Sequence, residues 1–318
     1  MLTQQPLLVL DGALATELER RAVDLRDPLW SAICLIERPE VIRAVHLDYF
    51  KAGADLATTA SYQATFEGFA RRGIDFNEAA QIMRASVMLA VSARDEFWAD
   101  PSNRRDRQLP LIAASLGPYG AMLADGSEYR GRYAISDRGL MDFHEKRLQV
   151  MVESGADLLA CETIPCLREA LALARLLERH PSASAWISFS CSDGEHTCEG
   201  DAIAECAAAL NAYPQVVSVG VNCTRPEYVS SLLRCMKAQT DKPLVVYPNS
   251  GEVYDATVKQ WRGCVDVMSF AARARDWYFQ GARLIGGCCR ITPHDIRAVK
   301  NWASADLARQ HRQPAQSQ

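Results

Sequence analysis

The chain has 318 residues, of which 48% are hydrophobic and 23% charged, a composition ordinary for a globular protein. Its net charge of −4 argues against nucleic acid as the main partner. No apolar run approaches the ~18 residues of a membrane helix, and the first residues lack the basic segment of a secretory signal. The 11 cysteines show no disulfide framework, so we expect reduced thiols and a cytoplasmic protein without a membrane partner.

Short apolar runs rich in Val, Ile, Leu and Ala recur along the chain, and a segment of helical periodicity follows each one. Most are continuously apolar, as expected for parallel strands buried on both faces. The predicted strands are 7–10, 54–59, 111–115, 156–162, 185–190, 216–222, 244–248 and 283–287.

Amphipathic segments lie between these strands, and the two clearest, 39–54 and 142–156, each carry a glycine just before the next strand. The others are 77–95, 167–179, 200–211, 226–238, 266–281 and 293–307. Eight strand–helix units in order predict an α/β fold, a single (β/α)8 barrel of the TIM type over residues 1–308. A doubly wound open sheet is the alternative, and residues 309–318 are predicted to form a polar, disordered tail.

Chemistry in such a barrel is built at the carboxyl ends of the strands. Three cysteines fall there: Cys223 ends the sixth strand, and Cys288 and Cys289 follow the eighth. Three thiolates converging from two strand ends form an all-sulfur site for one Zn²⁺. Gly286 and Gly287 would let the backbone turn tightly so that both neighbouring thiolates face the ion.

An unpaired cysteine is usually a small core residue, so other cysteines must be weighed against this trio. Two further groups, Cys161 with Cys166 and Cys191 with Cys198 and His196, also lie near the same face but have no glycine-assisted turn. We interpret them as incidental. The remaining cysteines are interpreted as core residues: Cys34, Cys206, Cys235 and Cys264.

Seven motifs in order resemble the homocysteine S-methyltransferases, most closely the short single-domain type that uses S-methylmethionine. They are "LVLDGALATEL" (8–18), "SYQAT" (61–65), "GPYGAMLADGSEYRG" (117–131), "LLACET" (158–163), "GVNC" (220–223), "YPNSGE" (247–252) and "IGGCCR" (285–290). The resemblance implies a (β/α)8 barrel with one zinc held by three cysteines, matching Cys223, Cys288 and Cys289. A zinc with three protein ligands keeps a fourth position open, where the sulfur of L-homocysteine would bind as a nucleophile. No catalytic side chain beyond this metal centre is expected.

The amino-acid end of homocysteine needs partners of its own. Its ammonium calls for carboxylates, and the resemblance gives this role to Asp11 and Glu162, at the ends of the first and fourth strands. Its carboxylate could be met by the backbone N–H groups of Gly12 and Ala13.

Several polar side chains at neighbouring strand ends are further candidates for substrate contact. Asn222 and Asn249 could support the metal, orient substrate or simply form turns. Ser61, Tyr62 and Gln63 line the end of the second strand and could contact either substrate.

The methyl donor is expected to be a sulfonium cation, which favours aromatic faces. The aromatic candidates are Tyr62, Tyr119, Tyr129 and Trp30, and Glu128 could add charge attraction. They include residues of a long glycine-containing segment after the third strand, which could act as a lid. The resemblance favours S-methylmethionine, with S-adenosylmethionine as a slower substitute and betaine as an alternative.

Two other classes of function compete with this hypothesis. A metal hydrolase or lyase that activates water is disfavoured, since none of the six histidines lies at a predicted strand end. A non-catalytic barrel that senses redox state or binds zinc structurally would show a fourth protein ligand or a disulfide.

Overall fold

A computed structural model describes residues 5–25, 27, 29–255, 260–262 and 269–310. Eight parallel strands form one sheet: β1 (Leu8–Val9), β2 (Leu56–Thr58), β3 (Leu111–Leu116), β4 (Leu158–Ile164), β5 (Ala185–Phe189), β6 (Val216–Asn222), β7 (Leu244–Tyr247) and β10 (Ala282–Ile285). Their order in the sheet is β1-β10-β7-β6-β5-β4-β3-β2. A parallel bridge between Leu10 and Leu56 joins the first and last strands of this order, so the sheet closes into a barrel.

The barrel confirms the predicted fold class and all eight predicted strands. One pair of strands was not predicted: β8 (Val253–Asp255) and β9 (Gln260–Arg262) form an antiparallel hairpin between β7 and the next helix. This hairpin is an insertion on the barrel and adds no strand to it.

Helices cover the outside of the barrel and follow its strands. Their ends carry the expected signals: Pro39 starts one helix, which stops at Gly53 with a left-handed φ of 115°. The helices are α1 (Leu14–Arg20), α2 (Cys34–Glu37), α3 (Pro39–Ala52), α4 (Phe66–Ala70), α5 (Phe76–Ala99), α6 (Tyr119–Leu123), α7 (Asp137–Val152), α8 (Leu167–Leu177), α9 (Ile203–Ala209), α10 (Pro226–Lys237), α11 (Phe270–Phe279) and α12 (Pro293–Gln310).

Two apolar layers hold the barrel together. The larger lies between the strands and the surrounding helices. The smaller fills the barrel interior with residues such as Leu56 and the fully buried Trp186. The ring of Trp186 meets Tyr247 edge-on and donates its N–H to the tyrosine hydroxyl at 2.9 Å. Side chains therefore fill the barrel interior up to the carboxyl ends of the strands.

A buried charge cluster closes the seam of the barrel at the opposite end. The carboxylate of Asp55, just before β2, accepts from the backbone N–H of Val9 at 3.1 Å. It also pairs with Lys300 of α12 at 2.7 Å and with Arg107 at 3.5 Å. Asp55 thus ties together the first two strands and the last helix.

Two sequence expectations concern the surroundings of the fold. In the described part of the chain, no helix is both long and apolar enough to cross a membrane. Helix α12 runs to Gln310, and residues 311–318 of the expected tail lie outside the described residues.

Candidate metal and substrate site

Three cysteine sulfurs meet at the carboxyl ends of two barrel strands. Cys223 follows β6, and Cys288 and Cys289 follow β10, with β7 between them. Their sulfur atoms all lie within 4.8 Å of one another, and among the described residues this is the group of His, Cys, Asp and Glu side chains able to hold a metal ion. The three residues predicted as metal ligands are therefore brought together.

The structure pairs Cys223 with Cys288 as a disulfide, so the expectation of reduced thiols is wrong for these two residues, and it leaves Cys289 as a free thiol. Burial, together with the negative charges of Glu19, Glu128 and Glu162, raises the pKa of the Cys289 thiol to about 12. A buried thiol in this position becomes a thiolate at neutral pH only when a cation stabilises it.

The end of β7 holds both cysteine segments in place. The N–H of Cys223 donates to the carbonyl of Tyr247 at 3.2 Å, and the N–H of Cys288 donates to Pro248 at 2.8 Å. The carbonyl of Cys289 accepts from Ser250 at 3.1 Å. Cys223 itself has a left-handed φ of 46°, which a non-glycine residue adopts at a cost. Its sulfur is therefore aimed by a strained backbone that β7 supports.

The two glycines before the cysteine pair are required for space. A Cβ on Gly286 would lie 2.4 Å from the Cβ of Leu10, and one on Gly287 would lie 2.1 Å from a methyl carbon of Ile291. Neither glycine has a positive φ. The predicted tight turn thus becomes a close approach of β10 to β1 and to the following loop.

Asp11 and Glu162 are both buried at this end of the barrel. The carboxylate of Asp11 accepts from the backbone N–H of Thr58 at 2.9 Å and from its hydroxyl at 3.1 Å. Burial raises the pKa of Asp11 well above its usual range, and the charge of Glu162 raises it further. Two interacting carboxyls with little water around them favour a cationic ligand.

Glu162 accepts a short hydrogen bond from the Ser115 hydroxyl. Burial raises its pKa to about 6, although hydrogen bonds from Ser115 and Tyr247 and the charge of Arg147 lower it. Glu162 is therefore mostly ionised at neutral pH and becomes neutral as the pH falls through about 6.

Asn222, also predicted as a site residue, has both amide groups occupied by the protein. Its Oδ1 accepts from the backbone N–H of Thr163 at 2.7 Å and from Ser188 at 2.8 Å, and its Nδ2 donates to Thr163 Oγ1 at 2.8 Å. Thr163 follows Glu162 directly and has a left-handed φ of 61°. Asn222 therefore links the strand end that bears Glu162 to the one that bears Cys223.

The remaining candidate amides and hydroxyls differ in what they offer to a ligand. Ser61 is fully buried, and its hydroxyl donates to the carbonyl of Ser115 at 2.8 Å. Gln63 donates to Ala121 at 2.8 Å, while its Oε1 is buried without a partner among the described residues. The Oδ1 of Asn249 is likewise a buried acceptor with no partner in the described part of the chain.

Gly12 and Ala13 lie where the chain leaves β1 and enters α1. The N–H of Ala13 donates to the carbonyl of Ile291 at 2.9 Å, so a carboxylate bound there would have to displace this bond. A Cβ on Gly12 would lie 2.6 Å from that same carbonyl oxygen, so only glycine fits.

The aromatic candidates separate into two groups. Trp30 and Tyr62 meet edge-on with ring centroids 6.2 Å apart, and Tyr129 is 39% exposed in a short 3₁₀ turn, Ser127–Tyr129. The electrostatic neighbours of Tyr62 and Tyr129 include Cys289. Tyr119 packs against Tyr133 and Phe143 instead, which makes it part of a separate apolar cluster.

Residues 8–303 match the family model described as homocysteine S-methyltransferase. The chain belongs to the homocysteine S-methyltransferase family. It is therefore a methyltransferase whose substrates are homocysteine and a methyl donor. The Cys223–Cys288 disulfide is a feature that the competing hypothesis of a non-catalytic barrel predicted, but the family membership does not favour that hypothesis.

Curated relatives support this assignment over nearly the whole chain. It is 54% identical over 303 residues to "Homocysteine S-methyltransferase YbgG" of Bacillus subtilis, covering 95% of this chain and 96% of the relative. It is 49% identical over 304 residues to the Escherichia coli homocysteine S-methyltransferase, covering 94% and 96%.

Solved structures of the Escherichia coli homocysteine methyltransferase MmuM are also similar to this chain. Its metallated form matches with a TM-score of 0.85 at 47% identity, covering 95% of this chain and 98% of that one. Its oxidized form matches with the same TM-score at 48% identity and the same coverage.

The other described cysteines of this family member lie outside the metal-capable group. Cys161 and Cys166 are buried, as are Cys34 and Cys206, in agreement with a core role. Cys191 is also buried, while Cys198 and Cys235 are partly exposed. Cys264, predicted as a core residue, lies outside the described residues.

Sequence reasoning missed a buried arginine that supports the substrate end of the methyltransferase site. Arg147 of α7 is 1% exposed and donates to the carbonyls of Ser61, Tyr62 and Gly117 at 3.0, 2.5 and 2.8 Å. These bonds fix the ends of β2 and β3. The positive charge of Arg147 also lowers the pKa of Glu162. An arginine in an amphipathic helix carries no sequence signal that it points inward.

A buried His–Glu pair was missed as well. Glu169 of α8 accepts from the backbone N–H of Tyr119 at 2.6 Å and pairs with His144 at 2.8 Å. Both side chains are fully buried. The pair anchors the start of the segment after β3, which carries Glu128 and Tyr129.

Proposed function

We propose that this chain is a zinc-dependent enzyme that moves a methyl group from a sulfonium donor, S-methylmethionine before S-adenosylmethionine, to L-homocysteine. The observation that carries the proposal is the convergence of three cysteine sulfurs within 4.8 Å beside two buried carboxyls. We further propose that it works in the cytoplasm, where its thiols stay reduced.

The three cysteines fit a zinc ion by their chemistry. Soft thiolates are the ligands that zinc prefers, and sulfurs about 2.3 Å from one tetrahedral ion stand about 3.8 Å apart. Cys223 and Cys288 must be reduced before either can bind the ion. The related Escherichia coli enzyme has been solved in both an oxidized and a metallated form. We propose that this chain has the same two states.

Zinc in this position would supply the positive charge that keeps the homocysteine sulfur as a thiolate near neutral pH. The protein does the positioning. β7 holds both cysteine segments through backbone hydrogen bonds, and the strained turn at Cys223 fixes the direction of its sulfur. The nucleophile is thereby held in one orientation, which lowers the entropy cost of reaction.

The ammonium of homocysteine is placed against Asp11 and Glu162. Binding of a cation stabilises the ionised form of both carboxyls, whose pKa values burial has raised. Gly12 and Ala13 are proposed to face the homocysteine carboxylate, the latter by giving up its bond to Ile291. Asn249 offers a free buried oxygen beside the metal ligands, and we propose that it orients the amino acid.

The donor is proposed to lie on the side of Tyr62, Gln63 and Tyr129. Aromatic faces attract a sulfonium without needing a hydrogen bond from it. Ser61 contributes by fixing the strand end on which Tyr62 stands. The homocysteine sulfur then attacks the methyl carbon, the donor's methyl–sulfur bond breaks, and its electron pair stays on the donor sulfur. S-methylmethionine would thus yield two molecules of methionine.

The test is methionine formation from L-homocysteine and each methyl donor in turn, with reduced, zinc-loaded protein. We expect S-methylmethionine to give the highest kcat/KM, with S-adenosylmethionine lower and betaine inactive. The Cys289→Ser variant is expected to lose zinc and at least about 100-fold in turnover, because a zinc–thiolate bond is removed from the site.

The matched control is Cys206→Ser, a buried cysteine of α9 outside the cluster. It should keep its zinc and its turnover. Full activity in Cys289→Ser, with the barrel intact by circular dichroism, would refute the proposed site.

A further inference from the structure

Glu128 has a buried carboxylate oxygen that no group in the described part of the chain uses. Its Oε2 is buried and has no hydrogen-bond partner among the described residues. Burial, together with the nearby charge of Asp125, raises the pKa of Glu128 to about 7. A buried acceptor without a donor is costly, so it marks a place where a ligand donor fits.

Arg130, the nearby cation, does not donate to the Oε2 of Glu128. The guanidinium of Arg130 is turned to Asp125, whose backbone carbonyl it reaches at 3.0 Å and whose carboxylate it reaches at 3.6 Å. The charge of Arg130 lowers the pKa of Glu128 but does not outweigh burial. The Glu128 carboxylate is thus left for a charge from outside the chain.

The backbone around Glu128 is fixed to the barrel. Its carbonyl accepts from the Ser190 hydroxyl, at the end of β5, at 3.0 Å. A Cβ on Gly120 would lie 2.5 Å from the backbone nitrogen of Glu128, so the turn packs directly on α6. The backbone that carries the Glu128 side chain is therefore held at a defined place over the strand ends.

The charge of Glu128 acts on both the aromatic residues and the metal-capable cysteines. Glu128 is an electrostatic neighbour of Tyr62, Tyr129 and Cys289. Tyr62 and Tyr129 can attract a sulfonium with their faces, but neither offers a charged acceptor for an ammonium. Asp11 and Glu162 lie on the homocysteine side. A donor that is itself an amino acid brings a second ammonium, and that ammonium needs a third carboxylate.

We infer that Glu128 binds the α-ammonium of the methyl donor and so selects donors that carry an amino-acid group. This inference rests on the proposed function. A sulfonium has no N–H to donate, whereas an ammonium has three, one of which satisfies Glu128 Oε2. S-methylmethionine and S-adenosylmethionine meet this requirement, and betaine does not.

The test compares Glu128→Gln with the wild type, both reduced and zinc-loaded. Two sulfonium probes are used: S-methylmethionine, which has the α-ammonium, and dimethylsulfoniopropionate, which lacks it. Binding of each is measured by calorimetry, and kcat and KM for S-methylmethionine are measured with saturating homocysteine. Asp125→Asn is the matched control, because it neutralises an exposed acid three residues away and can keep its hydrogen bond to Ser127.

We expect Glu128→Gln to weaken S-methylmethionine binding and raise its KM by at least about tenfold, with kcat changed less than threefold. Dimethylsulfoniopropionate should bind both proteins equally, and Asp125→Asn should behave as the wild type.

Equal weakening of both probes would show that Glu128 faces the sulfonium and would overturn the inference, as would an unchanged KM for S-methylmethionine. Neither result touches the proposed function. That function fails only if the wild type forms no methionine from any sulfonium donor.

Discussion

Cys223 and Thr163, the neighbour of Glu162, both have a backbone conformation that is unfavourable for their residue type. Cys223 has a left-handed φ, and so does Thr163, which follows Glu162. Such conformations cost about 1–3 kcal/mol each and persist where the surroundings enforce them. Here the surroundings are the hydrogen bonds of Asn222 and of β7. Strain at these two residues therefore coincides with the proposed metal and ammonium contacts.

The pH dependence of homocysteine binding follows from Glu162. Its pKa is raised to about 6, so below that pH its carboxyl is neutral and no longer pairs with an ammonium. We expect the KM for homocysteine to rise as the pH falls below 6, by up to about tenfold per pH unit. The measurement is KM for homocysteine between pH 5 and 8 at saturating donor.

Glu162→Gln separates this effect from ionisation of the homocysteine thiol. The variant should have a high KM throughout and should lose the part of the pH dependence that belongs to the carboxyl. A pH profile of the same shape in the variant and the wild type would count against Glu162 as the ammonium partner.

At the scale of elements, Asn222 connects β4, β5 and β6 where the site is built. Its side chain bridges Thr163 and Ser188, and the hydroxyl of Ser188 reaches that of Tyr247 on β7 at 2.6 Å. Four consecutive strand ends are thus joined by one buried polar network. Such networks specify a single arrangement when every member is satisfied.

We expect Asn222→Ala to leave the buried N–H of Thr163 without an acceptor. This should lower the free energy of unfolding by about 1–3 kcal/mol and kcat/KM for homocysteine by at least about tenfold. The measurements are urea denaturation and steady-state kinetics.

Asn103→Ala is the control, since Asn103 donates to Phe97 at the opposite end of the barrel. It should lose some stability and keep its kcat/KM. If Asn222→Ala also kept its kcat/KM, Asn222 would be a structural residue without a positioning role.

At the scale of the whole molecule, the barrel seam depends on Asp55. Replacing it with alanine leaves Lys300 and Arg107 with charges that have lost their buried partner. We expect Asp55→Ala to lower the free energy of unfolding by about 3–5 kcal/mol, because breaking a buried ion pair strands the other charge. Chemical denaturation measures the change.

Glu96→Ala provides the comparison, since Glu96 pairs with Arg43 on the exposed surface. It should cost no more than about 1 kcal/mol. Similar losses in the two variants would mean that the seam contributes no more than an ordinary surface pair.

The barrel was predictable because its strands are buried on both faces and appear as continuous apolar runs. The metal-ligand group could be predicted because "GGCC" and "VNC" end two such runs, and the barrel geometry brings those ends together. Arg147, by contrast, could not be predicted. Its partners are carbonyl groups 30, 85 and 86 residues away, and backbone carbonyls look the same in every sequence.

The hairpin β8–β9 and the Cys223–Cys288 disulfide also could not be predicted from the sequence. A three-residue strand has too few positions for its alternation to stand out. The disulfide depends on the oxidation state of two cysteines, and a residue pattern does not encode that state.

The ion pair between Asp55 and Lys300 joins residues that are far apart in the order of synthesis. Cys288, Cys289 and Lys300 all lie in the last tenth of the chain, whereas Asp11 and Asp55 are made near its beginning. Until the ribosome has made β10, strand β1 lacks its neighbour on one side, and Cys223 lacks the sulfurs of Cys288 and Cys289. If the three cysteines bind a metal ion as proposed, the ion can bind only after nearly the whole chain has been made. A chain that stopped before α12 would keep all eight strands and the three cysteines but would lose Lys300, the partner of Asp55 at the seam.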